Sequence, residues 1–320
     1  MSNHDLRAPQ TYDPRKEFGR AVAEVAETDP RVVVISTDSG KSSGFGEFLK
    51  THPARYFEVG IEEQGATGMA AGLATTGKVP VFCAIAPFVT ARNYEQFRND
   101  IGYMQQNVKI VGRNGGMTYA DLGSTHHSLE DYAIIRMIPG VTILAPQDYS
   151  EIRAGVKAMI EHDGPVYMRI GAGNVPALFD EDFEIGKGRH VREGSQVSVV
   201  SAGYQTIETK KAVDELVAAG IDVDLICLGT IVPLDEQLVL ESARRTGHVV
   251  TVEEHYDRGG LGGVVSELIA REGGAVVDII GVPHGFVHTG TYAGLQQQQG
   301  LDAASLVTRI TDLVARRASK

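Results

Sequence analysis

Two glutamates stand side by side, Glu62 and Glu63, in RYFEVGIEEQGATGMAAGLATTG (55–77), where an apolar strand gives way to a helix of small residues. Stripping water from an unpaired carboxylate costs on the order of several kcal/mol, so a carboxyl set against a core needs a partner able to share or donate a proton. A helix N-terminus also favours carboxylates, and that plainer role suits Glu63 as well. A second pair, His126 and His127, lies in GSTHHSLED. A neutral imidazole both donates and accepts near pH 7, the property that proton transfer to a hydroxyl requires. Asp38 closes the apolar run RVVVISTD, where it can either meet a ligand or cap the next turn.

Other chemistries are poorly served. Cys83 and Cys227 sit far apart inside apolar runs, with neither a CxxC pair nor metal spacing, and read as buried free thiols in a reducing compartment. RGGLGG (258–263) lacks the GxGxxG spacing of a dinucleotide loop. With 30 basic against 41 acidic residues the net charge is -11, which argues against nucleic acid or an anionic membrane as partner; an anionic ligand needs a local basic cluster. The opening residues carry no apolar signal core and no window approaches a membrane span, so a cytoplasmic protein is expected.

The elements that must position these residues alternate. Short apolar runs at 31–37, 78–86, 107–112, 141–145 and 165–170 read as strands covered on both faces, with helical stretches at 15–29, 62–77 and 148–164 between them. A polar, Gly-rich stretch at 173–196 interrupts the rhythm and marks a domain boundary near 185–195. The second half repeats the pattern, with strands at 197–203, 221–229, 248–255 and 275–282 and helices at 206–219, 235–245, 261–272 and 302–317. The expected fold is α/β with two doubly wound domains, 1–188 and a smaller 189–320. QQQQ (296–299) reads as an exposed helical turn.

Five blocks in order, VGIEEQGATGMAAGLATTGKVPVFCAIAPF, GSTHHSLEDYAIIRMIPGVTILAPQDYSE, GPVYMRIG, IVPLD and TVEEHYDRGGLGGVVSEL, make the chain resemble the transketolase family from about Asp13 to Arg317. The resemblance implies a thiamine diphosphate pyrimidine-binding domain followed by a transketolase C-terminal-type domain. It implies that Glu63, in the G-I-x-E-Q block with Gly60, Ile61 and Gln64, faces a ring nitrogen of the cofactor's aminopyrimidine and shares a proton with it. Glu62 is then the free position, solvated or at an interface. Phe88 matches an aromatic that stacks on that ring, and Ile85 replaces a second aromatic, leaving the cradle partly aliphatic. Asp38 resembles a residue near the cofactor. His126 matches the histidine that handles substrate hydroxyl protons, with His127 its neighbour. Arg15, Ser42 and Arg169 match positions that grip the terminal phosphate of the sugar. No residue of this chain is expected to ligate metal, and none of the C-terminal half to be catalytic.

The resemblance also marks departures. A carboxylate four residues before the histidine in many sugar-processing relatives is here Leu122, beside Asp121, and a histidine twelve residues before it is here Asn114. The GDG motif and following asparagine that hold the diphosphate and a divalent metal occur nowhere in the 320 residues. The expectation is a split enzyme. A separate N-terminal diphosphate-binding subunit supplies most of the Mg2+ or Ca2+ ligands, two unlike pairs form a heterotetramer, and a two-carbon ketol unit passes between a ketose, expected to be phosphorylated, and an aldose. The alternatives are the beta subunit of a 2-oxo acid dehydrogenase decarboxylating component, which typically shows H-S-Q-S where this chain has THHSLED, and a non-catalytic scaffold subunit.

Overall fold

The computed structural model describes residues 11–319. The helix Pro14–Thr28 shows why the first elements form where they do. Asp13 caps it, its side chain accepting from the Arg15 N–H, and Pro14 takes the first helical position, where a missing N–H costs nothing. Phe18, Ala21, Val22 and Ala26 recur at helical spacing and are buried, and Pro30 stops continuation by restricting Asp29 to extended backbone.

The strands assemble into two sheets. The first has seven in the order Thr230–Val232, Thr142–Leu144, Val166–Arg169, Lys109–Arg113, Val79–Ile85, Val32–Ser36 and Tyr56–Glu58, parallel except for the antiparallel Thr230–Val232 at one edge. Its inner strands are buried along nearly their whole length because helices cover both faces, which is why they read as continuous apolar runs. Pro14–Thr28 and Tyr149–Glu161 pack on one face, and Glu63–Ala74 on the other through Ala66, Ala70 and Ala71. The second sheet has five strands in the order Val276–Val282, His248–Tyr256, Val197–Ala202, Val223–Leu228 and Gly188–Arg192, the last antiparallel. The fold is thus mixed α/β with two parallel-sheet layers, as expected. No helix among the described residues is long and apolar enough to cross a membrane.

Three stretches differ from the sequence reading. The segment 173–196 is not simply irregular: Val175–Pro176 pairs antiparallel with Thr11–Tyr12, Leu178 and Phe179 are buried, and Gly188–Arg192 is an edge strand. Thr230–Val232, which overlaps the start of IVPLD, crosses from the second half to extend the first sheet. Within QQQQ, Gln296 is buried at 5% exposure and its amide donates to Glu254 at 3.1 Å, because the helix Tyr292–Gln298 packs against the domain junction and does not lie in solvent. Cys83 and Cys227 are free and buried, as expected.

A single carboxylate ties the connecting segment down. Asp148 caps the helix Tyr149–Glu161 by accepting from the Glu151 N–H at 2.9 Å, and its other oxygen accepts from the N–H groups of Leu178 and Phe179. Truncation to Ala leaves three buried donors unmet, so Asp148→Ala should cost about 2–3 kcal/mol. Urea denaturation followed by circular dichroism checks this; an unchanged midpoint would refute it.

Candidate active site

The strand Tyr56–Glu58 ends at the parallel-sheet edge and the chain turns at Gly60, whose φ of +75° glycine adopts without strain, into the helix Glu63–Ala74. Glu62 is the exposed N-cap and makes no side-chain capping bond. Glu63 enters the first turn with its side chain inward, 6% exposed. Its Oε2 accepts from Arg92 Nη1 at 2.8 Å. The Arg92 guanidinium carbon in turn lies 3.7 Å from the centre of the Phe88 ring. Phe88 sits in the short turn Ala86–Phe88 that follows the strand Val79–Ile85, which Ile85 closes, half-buried.

His126 joins the same group, its ring meeting Phe88 edge-on at 5.2 Å and Tyr119 at 5.4 Å. Thr125 Oγ1 lies 2.9 Å from its Nδ1, fixing one ring nitrogen and leaving Nε2 for another partner. Burial, and secondarily the Arg92 charge, pull the His126 pKa below its usual 6.5, with Asp121 opposing. His127 is buried and, among the described residues, neither of its ring nitrogens has a partner; burial first, then His126, lower its pKa too. The structure therefore brings Glu63, Phe88 and His126 together and adds two residues the sequence reading missed, Arg92 and Tyr119. Arg92 sits 29 positions from Glu63 in sequence, so no local pattern announces the pair.

The three phosphate candidates are not gathered in the same way. Arg15 stays with its helix cap, Nε and Nη2 each 3.1 Å from Asp13 carboxylate oxygens. Ser42 Oγ is exposed and accepts from Arg113 Nη2 at 3.1 Å. Arg169 is 8% exposed: Nη1 reaches Asp131 at 3.2 Å, Nη2 donates to the Glu254 carbonyl at 2.6 Å, and the guanidinium lies over Tyr132. Arg169 thus bonds groups on both sides of the junction between the two halves, Asp131 in the first and the Glu254 carbonyl in the second. Gly115 permits this, since a Cβ there would collide with the Arg169 side chain.

Arg113 was not foreseen. It ends the strand Lys109–Arg113 at 3% exposure and donates to Ser43 Oγ, Ser42 Oγ and Asn114 Oδ1 at 3.0–3.1 Å. Among the described residues no carboxylate lies within ion-pair distance of it. Asn114, at the position of a family histidine, holds φ +56° and turns its amide oxygen to Arg113, while Leu122 is exposed. Asp38 also adopts positive φ, +55°, with its N–H donated to Glu58 and its side chain exposed. Strained non-glycine residues thus end two strands beside this region.

Chemically, the arrangement offers a buried carboxylate, an aromatic face that already holds a flat cation, and an imidazole kept largely neutral at pH 7. A planar nitrogen heterocycle suits the carboxylate and the aromatic face together. Among the described residues no three His, Cys, Asp or Glu side chains converge as a metal site.

Residues 10–177 match the family description "Transketolase, pyrimidine binding domain" and residues 186–306 match "Transketolase, C-terminal domain". The chain is 37% identical over 303 residues to one of the subunits of apulose-4-phosphate transketolase from Phocaeicola vulgatus, covering 94% of this chain and 97% of that protein. It is 37% identical to 1-deoxy-D-xylulose-5-phosphate synthase of Syntrophotalea carbinolica but spans only 47% of it. Among solved structures, a split-gene transketolase described as an inactive beta4 tetramer aligns with a TM-score of 0.87 at 36% identity, over 96% of this chain and 99% of that one.

For His126, folding lowers the pKa. The stability linked to this group is therefore complete above pH 6.5 and is lost as pH falls through the folded value. NMR titration of the His126 ring should give a midpoint below that of the urea-unfolded chain; a midpoint equal or higher contradicts the geometry.

Proposed function

The chain belongs to the transketolase family, and from that premise we propose that it is the pyrimidine-binding subunit of a split, thiamine-diphosphate-dependent transketolase. It transfers a two-carbon ketol unit from a phosphorylated ketose to an aldose. The observation that carries the reading is the convergence of buried Glu63, the Phe88 face and His126 in one group. Near-full coverage of a separate transketolase subunit supports a two-chain enzyme. We assign 1–188 to the pyrimidine-binding domain and 189–320 to the C-terminal-type domain.

Thiamine diphosphate, when bound, supplies the carbon nucleophile. Phe88 offers the face on which its aminopyrimidine stacks, with Ile85 and Asp38 flanking. Glu63 would share a proton with the ring nitrogen at its carboxyl oxygen, in a position that burial keeps from water. His126, largely neutral, accepts and returns protons at substrate hydroxyls through Nε2. The diphosphate and its Mg2+ or Ca2+ are held mainly by an N-terminal diphosphate-binding subunit, and two such pairs form a cytoplasmic heterotetramer.

Arg113 gives the phosphorylated-ketose reading its physical basis. A buried guanidinium with no carboxylate near it among the described residues is unfavourable, and an incoming phosphate offsets that cost. Arg113 joins Arg15, Ser42 and Arg169 as a candidate grip on that phosphate, with Ser42 already bonded to Arg113.

The test is reconstitution with the diphosphate-binding subunit, followed by assays with a ketose phosphate plus aldose and, separately, with a 2-oxo acid plus lipoyl acceptor. Turnover only in the second would identify a 2-oxo acid dehydrogenase component instead. Glu63→Gln should lower kcat by about 100-fold or more while circular dichroism stays unchanged; wild-type turnover by this variant would return the scaffold reading. Arg113→Met should raise KM for the phosphorylated ketose roughly 10- to 100-fold and leave KM for its unphosphorylated counterpart alone. Equal changes for both substrates would remove Arg113 from phosphate recognition.

A further inference from the structure

Arg92 makes two contacts at once. Its flat guanidinium lies at stacking distance, 3.7 Å, over the Phe88 ring, and its Nη1 donates to the buried carboxylate of Glu63 at 2.8 Å. An aminopyrimidine, also planar and rich in N–H donors, would use the same ring face and the same oxygen. The two cannot be present together, because one ring face admits one stacked partner. We propose that Arg92 is a resident stand-in for the cofactor's aminopyrimidine: it closes the pyrimidine site in the isolated subunit and must swing out before the cofactor seats.

The surroundings fit a side chain that moves on a fixed backbone. The next residue, Asn93, is fully buried and donates from Nδ2 to Thr67 Oγ1 at 2.6 Å, and Thr67 Oγ1 donates to the Glu63 carbonyl at 2.7 Å. These bonds fasten the Arg92 backbone to the helix that carries Glu63. The Arg92 side chain itself is 41% exposed, so rotation about its own bonds carries it into solvent without disturbing the core. Glu63 has no such freedom and would be an unpaired buried carboxylate if nothing faced it. Arg92 therefore keeps the isolated chain stable and imposes a competition for the site. Arginine suits the part better than lysine, since only the guanidinium is planar and can stack while donating sideways. The charge it withdraws also bears on His126, whose ring lies against the same Phe88.

The inference rests on the cofactor reading above, and the experiment separates the two. Thiamine diphosphate binding to the subunit reconstituted with its diphosphate-binding partner is measured by calorimetry for wild type, Arg92→Ala and Arg92→Lys. Removing the stand-in should tighten binding about tenfold in Arg92→Ala, with Arg92→Lys between, as expected for loss of a competing cation–π and ion-pair contact. Equal or weaker binding by Arg92→Ala overturns the inference and leaves the cofactor reading intact. No binding by any of the three overturns both. Side-chain 15N NMR of the isolated subunit reads the contact directly: the Arg92 guanidinium resonances should be shifted upfield by the Phe88 ring current and lose that shift in Phe88→Leu. Resonances at free-arginine positions in the wild type overturn the inference whatever the calorimetry gives.

Discussion

A carboxylate that cannot reach water must be matched by a donor, and Glu63 imposes that constraint on everything around it. The helix Glu63–Ala74 lies against the core through Ala66, Ala70 and Ala71, and Glu63 is buried on that same inward side. The donor must therefore come from across the gap, from the segment after Val79–Ile85, which places Arg92 and Phe88 opposite it. The stack on Phe88 orients the guanidinium, and Phe88 in turn fixes the rim on which His126 rests. Chemistry that needs a flat ring, a shared proton and a nearby imidazole is laid out along this one line of contacts.

A second buried charge organises the junction between the halves. Arg169 is held by Asp131, whose other oxygen accepts from the Tyr167 hydroxyl at 2.7 Å, and by the Glu254 carbonyl. The Glu254 side chain reaches the Met117 N–H, Tyr292 and Gln296. The loop 114–131, which carries His126, is thereby tied to the C-terminal half through Met117 and Glu254, and near its other end by the Tyr256 N–H, which donates to the Leu129 carbonyl at 2.8 Å. That half contributes no residue to the Glu63–Phe88–His126 group, yet it sets where the histidine stands. Support of this kind fixes geometry through packing and hydrogen bonds remote from the reacting atoms.

Much of this was legible in the sequence. The parallel strands appeared as apolar runs because both faces are covered, and Glu63 appeared because a charged residue beside small apolar ones is out of place. Phe88 and His126 were legible through the family blocks. What went unread shares one cause: sequence gives a residue's position along a strand but not what its side chain meets in space. Arg169 stands at a strand end, where ligands gather, and there it also bridges Asp131 and the Glu254 carbonyl across the junction. Arg113 stands at the neighbouring strand end and, among the described residues, meets hydroxyl and amide oxygens in place of a counter-ion. Arg92 went unremarked because its partner Glu63 lies 29 positions away in the chain. Gln296 looked exposed because polar repeats usually are, while Glu254 waits for it at the junction.

Thr230–Val232 gives the molecule an indivisible character that its two-domain layout conceals. The strand belongs by sequence to the second half but hydrogen-bonds along Thr142–Leu144 in the first sheet. A fragment ending near residue 188 would strip that cover and leave a bare sheet margin, the kind of surface on which foreign strands add and fibres grow. Shuffling such halves between related genes would therefore succeed only with crossovers placed beyond residue 232, so that the borrowed strand travels with the sheet it completes.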